Sequence, residues 1–309
     1  MGGIGIIHNP FARGNLRRPG IIEQLKSIVG DSGEVILTRN ISELPEVMKE
    51  FSKKGYDLLA VNGGDGSMHL VLSAYLNALP GQPLPKVASL RGGTMNTMPN
   101  SVKLKGNTLY IARKLVTKYR SGAPMEVFKQ HLVRLNDKYG FMTGIGVPPN
   151  FLAAYYSGTS TGPWQAVKVI ARVIGSALTR GPYVKHLFEP AKCIVKVKGQ
   201  EIAPREFSGI LACSIKEIGL GFTFTPHAYD QPGHFQLLAT TMSPFQIIPN
   251  IHKFWLGQDI IHPQVFSFVT DQALITPLAN MRYTIDGEIY ETEEPIEMSC
   301  GPTIDLVKI

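Results

Sequence analysis

The chain has 309 residues, of which 44% are hydrophobic and 18% are charged, as in globular proteins with a substantial core. At roughly 150 residues per domain, this length predicts about two domains. No apolar stretch reaches the ~18 residues of a membrane-spanning helix, and the N-terminus lacks the basic region of a signal peptide. The three cysteines are widely spaced, which argues against a disulfide framework or a Cys-ligated metal and favours a reducing compartment.

The net charge of +7 is unevenly distributed along the chain. Residues 101–138 carry nine Lys and Arg against Glu126 and Asp137, and residues 151–188 contain no acid. Such basic stretches attract nucleotides, nucleic acid or anionic lipid, and composition alone does not choose among them. No helix-turn-helix, zinc-finger or base-stacking signature accompanies the basic run, so we predict no nucleic-acid partner.

The first third of the chain alternates strand and helix signals. In chain order the prediction is a strand at 4–8, a helix at 21–29, a strand at 35–38, a helix at 44–51, a strand at 57–62, a helix from about 67 to 79, a strand at 86–90 and a helix at 108–119. This order predicts a three-layer α/β domain with a parallel sheet over residues 1–126. Ligands of such sheets bind at the carboxyl ends of the strands.

Beyond about residue 127 the pattern changes to short alternating segments separated by Gly, Pro or Asp. The predicted strands are 131–136, 141–145, 193–198, 209–215, 221–225, 235–240, 265–270 and 281–285. They predict an antiparallel β-sandwich domain over residues 127–302, with a helical insertion at about 163–180. We expect residues 303–309 to pack back on the first domain. Exposed strand edges allow a homodimer.

The most informative motif is Gly63-Gly64-Asp65-Gly66-Ser67, which follows a predicted strand and precedes a predicted helix. Glycines allow positive φ angles and let a ligand approach the backbone. The helix N-terminus adds unpaired N–H groups and a positive dipole end, which together favour phosphate. An aspartate fits such a loop if a cation lies between the charges, so the motif predicts a cradle for a metal–nucleotide complex. The alternative is a strand-to-helix turn whose Asp caps the helix.

A second motif, Asp286-Gly287-Glu288, lies near the C-terminus. On an extended strand, residues two apart face the same side, so both carboxylates would point at one ligand. The glycine between them would let that ligand pass close to the backbone. The alternative is an Asp-Gly hairpin turn between two strands.

Four motifs in order resemble those of one family. They are the Asn-Pro turn at 9–15, the glycine motif at 63–67, a Gly-Thr-x-Asn loop at 93–96 and Asp-Gly-Glu at 286–288. The chain resembles the diacylglycerol kinase catalytic-domain family, which includes bacterial lipid kinases and sphingosine kinases. The resemblance extends over nearly the whole length and implies an α/β domain followed by a β domain.

The resemblance implies transfer of the γ-phosphoryl group of ATP, with Mg²⁺, to a diacylglycerol-like or sphingoid-like hydroxyl. It implies a cytoplasmic enzyme of lipid metabolism that associates peripherally with the membrane. It makes Asp286 the general base, with Glu288 beside it and Asp65 in the catalytic loop. Matched positions place the nucleotide against Asn9, Thr38, Gly63, Gly64, Asp65, Gly66, Ser67, Thr94 and Asn96.

The chain departs from the family pattern at three positions. The family usually has a glutamate where Leu70 follows His69, and an aspartate at the position of Thr97. Pro232 replaces an aspartate that some bacterial members use near a structural Mg²⁺, and Asp230 is the predicted substitute ligand.

Two other functions stay open, the first because of these departures and the second because of the glycine motif. One is a catalytically weak regulatory protein that binds nucleotide and lipid. The other is a soluble NAD kinase-like enzyme, which shares the glycine motif. That enzyme class also uses an Asn-Glu pair, which this sequence lacks.

The helical insertion combines apolar residues with basic ones and no acid. Its apolar positions are Trp164, Val167, Val169, Ile170, Val173, Ile174 and Leu178, and its basic positions include Lys168, Arg172 and Arg180. Such a helix predicts contact with an anionic membrane surface through Trp164, Lys168, Arg172 and Arg180. The alternative is a core helix with solvated basic residues.

Overall fold

The chain folds into two compact units in a computed structural model that describes residues 2–158, 162–179, 181–219 and 221–309. Unit 1 comprises Met1–Leu132, Asp137–Tyr139 and Pro302–Ile309. Unit 2 comprises Val133–Asn136 and Gly140–Gly301. The C-terminal residues therefore belong to the same unit as the N-terminal third of the chain.

The strands and helices are numbered separately in chain order. The strands are β1 (Ile4–His8), β2 (Gly33–Leu37), β3 (Leu58–Asn62), β4 (Lys86–Ser89), β5 (Val127–Leu135), β6 (Lys138–Gly140), β7 (Met142–Gly146), β8 (Ala191–Val197), β9 (Gln200–Ile202), β10 (Glu206–Phe207), β11 (Gly209–Cys213), β12 (Phe235–Thr240), β13 (Val265–Thr270), β14 (Gln272–Pro277), β15 (Met281–Ile285), β16 (Glu288–Thr292) and β17 (Ile296–Val307). The helices are α1 (Arg13–Leu16), α2 (Ile21–Val29), α3 (Leu44–Lys54), α4 (Asp65–Ala78), α5 (Thr97–Ser101), α6 (Thr108–Arg120), α7 (Val147–Tyr156), α8 (Pro163–Leu178), α9 (Pro182–Leu187), α10 (Pro244–Ile247) and α11 (Ile251–Leu256).

Unit 1 is built on a parallel sheet whose strand order is β2-β1-β3-β4, with the C-terminal end of β17 beside β4. All five residues of β1 and of β3 are buried, as expected for strands covered on both faces. Helices α2 and α6 supply one cover, because their apolar residues share a core with β1, β3 and β4. On α2 these residues are Ile21, Leu25 and Val29, which have helical spacing.

Helix α3 covers β1 from another side. The ring of Phe51 lies against Gly5, where a Cβ atom would come 2.2 Å from it. Helix α3 ends at Gly55, which adopts the left-handed conformation that commonly terminates helices. Helices α3 and α4 pack side by side. Helices therefore cover the sheet on both sides, which is the arrangement that the alternating pattern predicts.

Unit 2 is a sandwich of antiparallel sheets. One sheet has the order β13-β12-β11-β7-β15-β16, and the other includes β10, β8, β14 and the first half of β17, with β9 on β8. Alternating residues of both sheets form one core, which contains Ile145, Val195, Leu237, Ile275 and Tyr283 among others. The predicted fold class, an α/β domain followed by an antiparallel β-sandwich, is confirmed.

The predicted strand at 221–225 is wrong. The structure has only an isolated bridge between Glu217 and Thr223 in this region. Gly219 and Gly221 lie between the two bridge residues with φ angles of 112° and 77°, so the backbone turns where a strand would have to extend.

Several helices of unit 2 lie outside its sandwich core. Helix α7 packs against β7 and β15. Helices α8 and α9 form a small separate core through Val169, Val173, Val184 and Leu187. Within the described ranges, no helix combines the length and the apolarity that crossing a bilayer requires.

Replacing Thr143 by Val should raise the free energy of unfolding. Thr143 is buried opposite Ala212 and Ile285 in the sandwich core, and its hydroxyl has no hydrogen-bond partner. Valine keeps the shape and removes an unpaired polar group, so we expect a gain of about 1 kcal/mol in urea denaturation. The control is Thr270→Val. The buried Thr270 hydroxyl donates to the carbonyl of Gln272 at 2.9 Å, so the same change there should destabilise. Equal effects at the two positions would contradict this explanation.

Candidate functional site

Three loops of unit 1 leave neighbouring strands at one edge of the parallel sheet. His8 pairs with Asn62, and Val61 pairs with Ser89, so β1, β3 and β4 end side by side. The loops are residues 9–15, 63–64 and 90–96, and they include three of the four motifs on which the resemblance rests. Parallel strands bring their carboxyl ends together, which is where ligands of such sheets bind.

Asparagine side chains connect the first two loops. The Asn9 amide donates to the Ser67 hydroxyl oxygen at 2.9 Å. The Asn15 amide donates to the backbone carbonyls of Asn9 and Asn62, at 2.8 and 3.1 Å. The Asn62 amide lies 2.7 Å from Nδ1 of His8, and burial lowers the pKa of His8, so the neutral ring accepts this bond. Asn9 was predicted as a site residue, whereas Asn15, Asn62 and His8 were not.

The loop glycines are needed for close packing. A Cβ on Gly93 would lie 2.5 Å from the Cα of Gly64, and one on Gly63 would lie 2.3 Å from the Ser67 side chain. The loops thus contact each other backbone to backbone. None of these glycines uses the positive φ angles that glycine allows; in this region Arg91 and Asn96 have positive φ angles. A Gly is required because only hydrogen fits between the two loops.

The glycine motif runs directly into helix α4. Gly64 is the N-cap in an extended conformation, and the Met68 N–H donates to the Gly64 carbonyl as the first helical bond. The N–H groups of Gly66 and Ser67 therefore have no acceptor within the helix. A 14-residue helix places the positive end of its dipole there, so this end of α4 favours an anion.

Asp65 points at another helix. Its two carboxylate oxygens accept the N–H groups of Thr97 and Met98, both at 2.9 Å. Asp65 thus caps α5, which is a different helix from the one that follows the glycine motif. Burial raises the pKa of Asp65, and the bonds from Thr97 and Met98 partly oppose the rise. The loop can accept phosphate because the carboxylate is occupied on the α5 side.

Thr97, which departs from the family pattern, and His69, which precedes the departing Leu70, have structural roles in unit 1. The Thr97 side chain adds a further bond to Asp65, a contact that a second carboxylate would turn into repulsion. His69 is fully buried, and its Nδ1 lies 2.7 Å from the Tyr139 carbonyl. Burial lowers the pKa of His69 to about 4, so the ring is neutral at pH 7. His69 therefore anchors residues 137–139 to α4.

The other predicted nucleotide residues also lie at this edge. Thr38 follows β2, and its N–H donates to the His8 carbonyl at 3.1 Å. The Asn96 side chain bonds both the N–H and the carbonyl of Gly93, at 3.2 Å each. Thr94 lies in the bend that this pair of bonds closes. Their contact with a nucleotide stays a prediction.

In unit 2, Asp286 and Gly287 form the turn of a two-residue hairpin. They connect β15 to β16, and their φ angles are 47° and 93°. Two successive positive φ values are the signature of a type I′ turn. The alternative of an Asp-Gly turn is therefore correct, and the prediction that Asp286 and Glu288 share the face of one extended strand is wrong.

The Asp286 carboxylate is nevertheless buried and fixed by hydrogen bonds to the backbone. Asp286 is 3% exposed. Its Oδ1 accepts the Met142 N–H at 2.9 Å, and its Oδ2 accepts the Phe141 N–H at 2.9 Å. Glu288 begins β16 and is partly exposed, yet nearby protein atoms desolvate its carboxylate and raise its pKa. The two acids therefore occupy different environments next to one turn.

Asp230 takes part in an ion pair. Its Oδ2 lies 2.6 Å from Nδ1 of His227, whose Nε2 lies 2.9 Å from Oδ1 of Asp259. Both ring nitrogens face carboxylates, which requires an imidazolium that donates twice. The described part of the chain contains no group of three His, Cys, Asp or Glu suited to a metal ion, so the structure gives the predicted Asp230 metal site no support.

Helix α8 is divided between a core face and an exposed face. Val169 and Val173 are buried, so the core-helix alternative holds for them. Trp164 and Leu178 are 80% and 84% exposed, and Lys168 lies on the same exposed face. The exposed Arg172 stacks 4.2 Å from the ring centroid of Tyr183, whereas Arg180 lies outside the described residues.

Residues 4–125 match the family model of the diacylglycerol kinase catalytic domain. Three similar structures are from Bacillus anthracis str. Sterne. Two, each described as "a putative diacylglycerol kinase", have TM-scores of 0.69 and 0.68 at 16% and 18% identity, over 96% of this chain and 93% and 94% of theirs. The third, described as a diacylglycerol kinase, has a TM-score of 0.64 at 16% identity, over 99% of this chain and 97% of its own. At these identities the likeness establishes the fold. No curated protein sequence matches the chain.

The His227 ion pair should depend on pH. Its two carboxylate partners raise the pKa of His227 above 6.5. Its contribution to stability is therefore complete below pH 6.5 and is lost as the pH rises through the raised value. An NMR titration of the imidazole should show this pKa, and Asp259→Asn should lower it. The same change at Asp305, which pairs with Lys129, is the control and should leave it unchanged. A His227 pKa at or below 6.5 would refute the imidazolium assignment.

Proposed function

We propose that the chain is an ATP-dependent lipid kinase, because residues 4–125 match the family model of the diacylglycerol kinase catalytic domain. It transfers the γ-phosphoryl group of ATP to the hydroxyl of a diacylglycerol-like or sphingoid-like lipid. The observation that carries the proposal is the convergence of three family motifs at the carboxyl edge of one parallel sheet.

The residues of the glycine motif fit nucleotide phosphates. The N–H groups of Gly66 and Ser67 lack acceptors within the helix, so they can donate to phosphate oxygens. The Ser67 oxygen accepts its bond from Asn9, so its own hydrogen is left for an acceptor. We assign Asn9, Thr38, Thr94 and Asn96 to the same nucleotide site.

Mg²⁺ fits this site as part of the nucleotide complex. Protein-bound Mg²⁺ is commonly held by substrate phosphates, one or two carboxylates and water. Asp65 already accepts two N–H groups, so we propose that the ion is held mainly by the phosphates. When bound, Mg²⁺ would neutralise the charge of the phosphate oxygens during transfer.

Asp286 acts as the general base in this proposal. The lipid oxygen forms a bond to the γ-phosphorus while the bond from that phosphorus to the β,γ-bridging oxygen breaks. The hydroxyl proton passes to the Asp286 carboxylate, and ADP leaves with the bridging oxygen. The N–H groups of Phe141 and Met142 hold the carboxylate in one orientation, which favours proton transfer in a fixed geometry.

One observation favours a second function. The Asp65 carboxylate already accepts hydrogen bonds from the N–H groups of α5, and Leu70 occupies a position at which the family usually has a glutamate. A protein with these features could bind nucleotide and lipid while turning over slowly. Nucleotide binding without lipid phosphorylation would identify this regulatory alternative.

The kinase assay uses labelled ATP, Mg²⁺ and separate acceptors: diacylglycerol, ceramide, a sphingoid base, phosphatidylglycerol and NAD. We expect label on one lipid class. Asp286→Asn should lower kcat by about 10²–10⁴-fold, because a positioned base contributes that much. Ser67→Ala should mainly raise KM for ATP, because it removes a hydroxyl that donates a hydrogen bond to a nucleotide phosphate.

The matched control is Asp271→Asn, which changes an exposed aspartate between β13 and β14 in the same unit. It should leave kcat unchanged. Label on NAD would support the NAD kinase-like alternative. Full activity of Asp286→Asn would show that Asp286 is not the general base.

We propose that the exposed face of α8 meets the membrane that holds the lipid. Trp164 and Leu178 are large apolar side chains in solvent, and Lys168 and Arg172 lie beside them. No acid occurs from residue 151 to 188, so the segment is suited to an anionic surface. On this proposal the enzyme is cytoplasmic and peripherally bound.

Vesicle co-sedimentation tests the α8 contact. The double variant Trp164→Ala and Lys168→Glu should weaken binding to anionic vesicles, because each basic residue near the surface contributes about 1 kcal/mol and the indole adds apolar contact. We expect a loss of roughly thirtyfold, which corresponds to about 2 kcal/mol. The matched control, Trp255→Ala with Lys253→Glu, changes another exposed tryptophan and its neighbouring lysine on α11. Equal losses in both variants would exclude α8 as the specific contact.

A further inference from the structure

We propose that Tyr156 is a positioning residue for Asp286, an inference that rests on the proposed function. The phenol hydroxyl of Tyr156 donates to the carbonyl oxygen of Gly287 at 2.9 Å. Gly287 is the second residue of the turn whose first residue is Asp286. The family resemblance assigns no role to this tyrosine.

The conformation of this turn sets the direction in which the Asp286 carboxylate points. Asp286 has a φ of 47°, in the left-handed region that side chains other than Gly, Asn and Asp rarely adopt. Ile285, the last residue of β15, pairs with Glu288, the first residue of β16. The hairpin therefore has no further loop residues that could change conformation in place of Asp286 and Gly287. Any rotation of the turn would therefore move the Asp286 carboxylate.

Two contacts restrain this turn from different elements. The Asp286 carboxylate bonds the N–H groups of Phe141 and Met142 at the start of β7. Tyr156 holds the Gly287 carbonyl from the last residue of α7. Helix α7 itself packs against β7 and β15, so it is fixed relative to the strands that carry the turn. Tyr156 thus restrains the turn independently of the carboxylate.

The position of Tyr156 indicates a role beyond packing. It is 40% exposed, whereas the neighbouring Tyr155 is 2% exposed and its hydroxyl accepts the Gly162 N–H. A half-exposed ring contributes little to the core of unit 2. Its hydroxyl nevertheless bonds a turn carbonyl 131 residues away in sequence. We assign this bond to holding Asp286 in the orientation that accepts the hydroxyl proton.

Tyr156→Phe removes only the hydroxyl and should preserve the fold. We expect kcat for the lipid to fall about fivefold, the equivalent of one hydrogen bond, because the carboxylate is less well oriented. KM for ATP should not change, because the substitution is remote in sequence from every nucleotide motif. The matched control is Tyr110→Phe on α6, where the tyrosine is 50% exposed. It should leave both constants unchanged.

Amide hydrogen exchange gives a readout that does not depend on activity. In Tyr156→Phe, the Phe141 and Met142 N–H groups should exchange severalfold faster, because their acceptor lies on a less restrained turn. Unchanged exchange would overturn the proposal whatever the activity. Faster exchange with unchanged kcat would also overturn it. If the wild-type protein phosphorylates no lipid but the exchange result holds, the proposed function fails while the restraint of Asp286 by Tyr156 stands.

Discussion

In each unit a desolvated aspartate accepts two successive backbone N–H groups from a distant segment. Asp65 takes those of Thr97 and Met98, and Asp286 takes those of Phe141 and Met142. A buried carboxylate is destabilising unless hydrogen bonds replace the lost water, and a pair of amides supplies them. The same bonds fix the loops that carry the family motifs. Removing either carboxylate would leave two buried N–H groups unpaired and release the segment that it holds.

The packing of the glycine loops explains why the motifs occur together. Gly64 and Gly93 belong to different motifs, yet their backbones touch, and Asn9 bonds Ser67 across the same edge. A larger residue at one of these glycines would displace the opposite loop as well as its own. The glycines therefore determine the spacing of the two loops. Their freedom of φ is not used.

Helix α8 has a buried face and an exposed face, and the two faces bear on different hypotheses. Val169 and Val173 stabilise a small core with α9, while Trp164 and Leu178 remain in solvent. Apolar composition alone does not distinguish these faces, because both carry large aliphatic or aromatic residues. Burial separates them, and only the exposed face is available to a lipid surface.

The sequence alone determined the fold class, the location of the motifs and many element bounds. Predicted strands 4–8, 235–240, 265–270 and 281–285 and helix 21–29 match the structure, because their apolar periodicity is local and their turn residues are clear. Helix α7 and strands β14 and β16 were not predicted.

Tertiary structure decided where the polar groups point. Asp65 bonds residues 32 and 33 positions away, and Asp286 bonds residues 145 and 144 positions away. Periodicity reports neighbours within a few residues, so contacts of this range form only when the chain has folded.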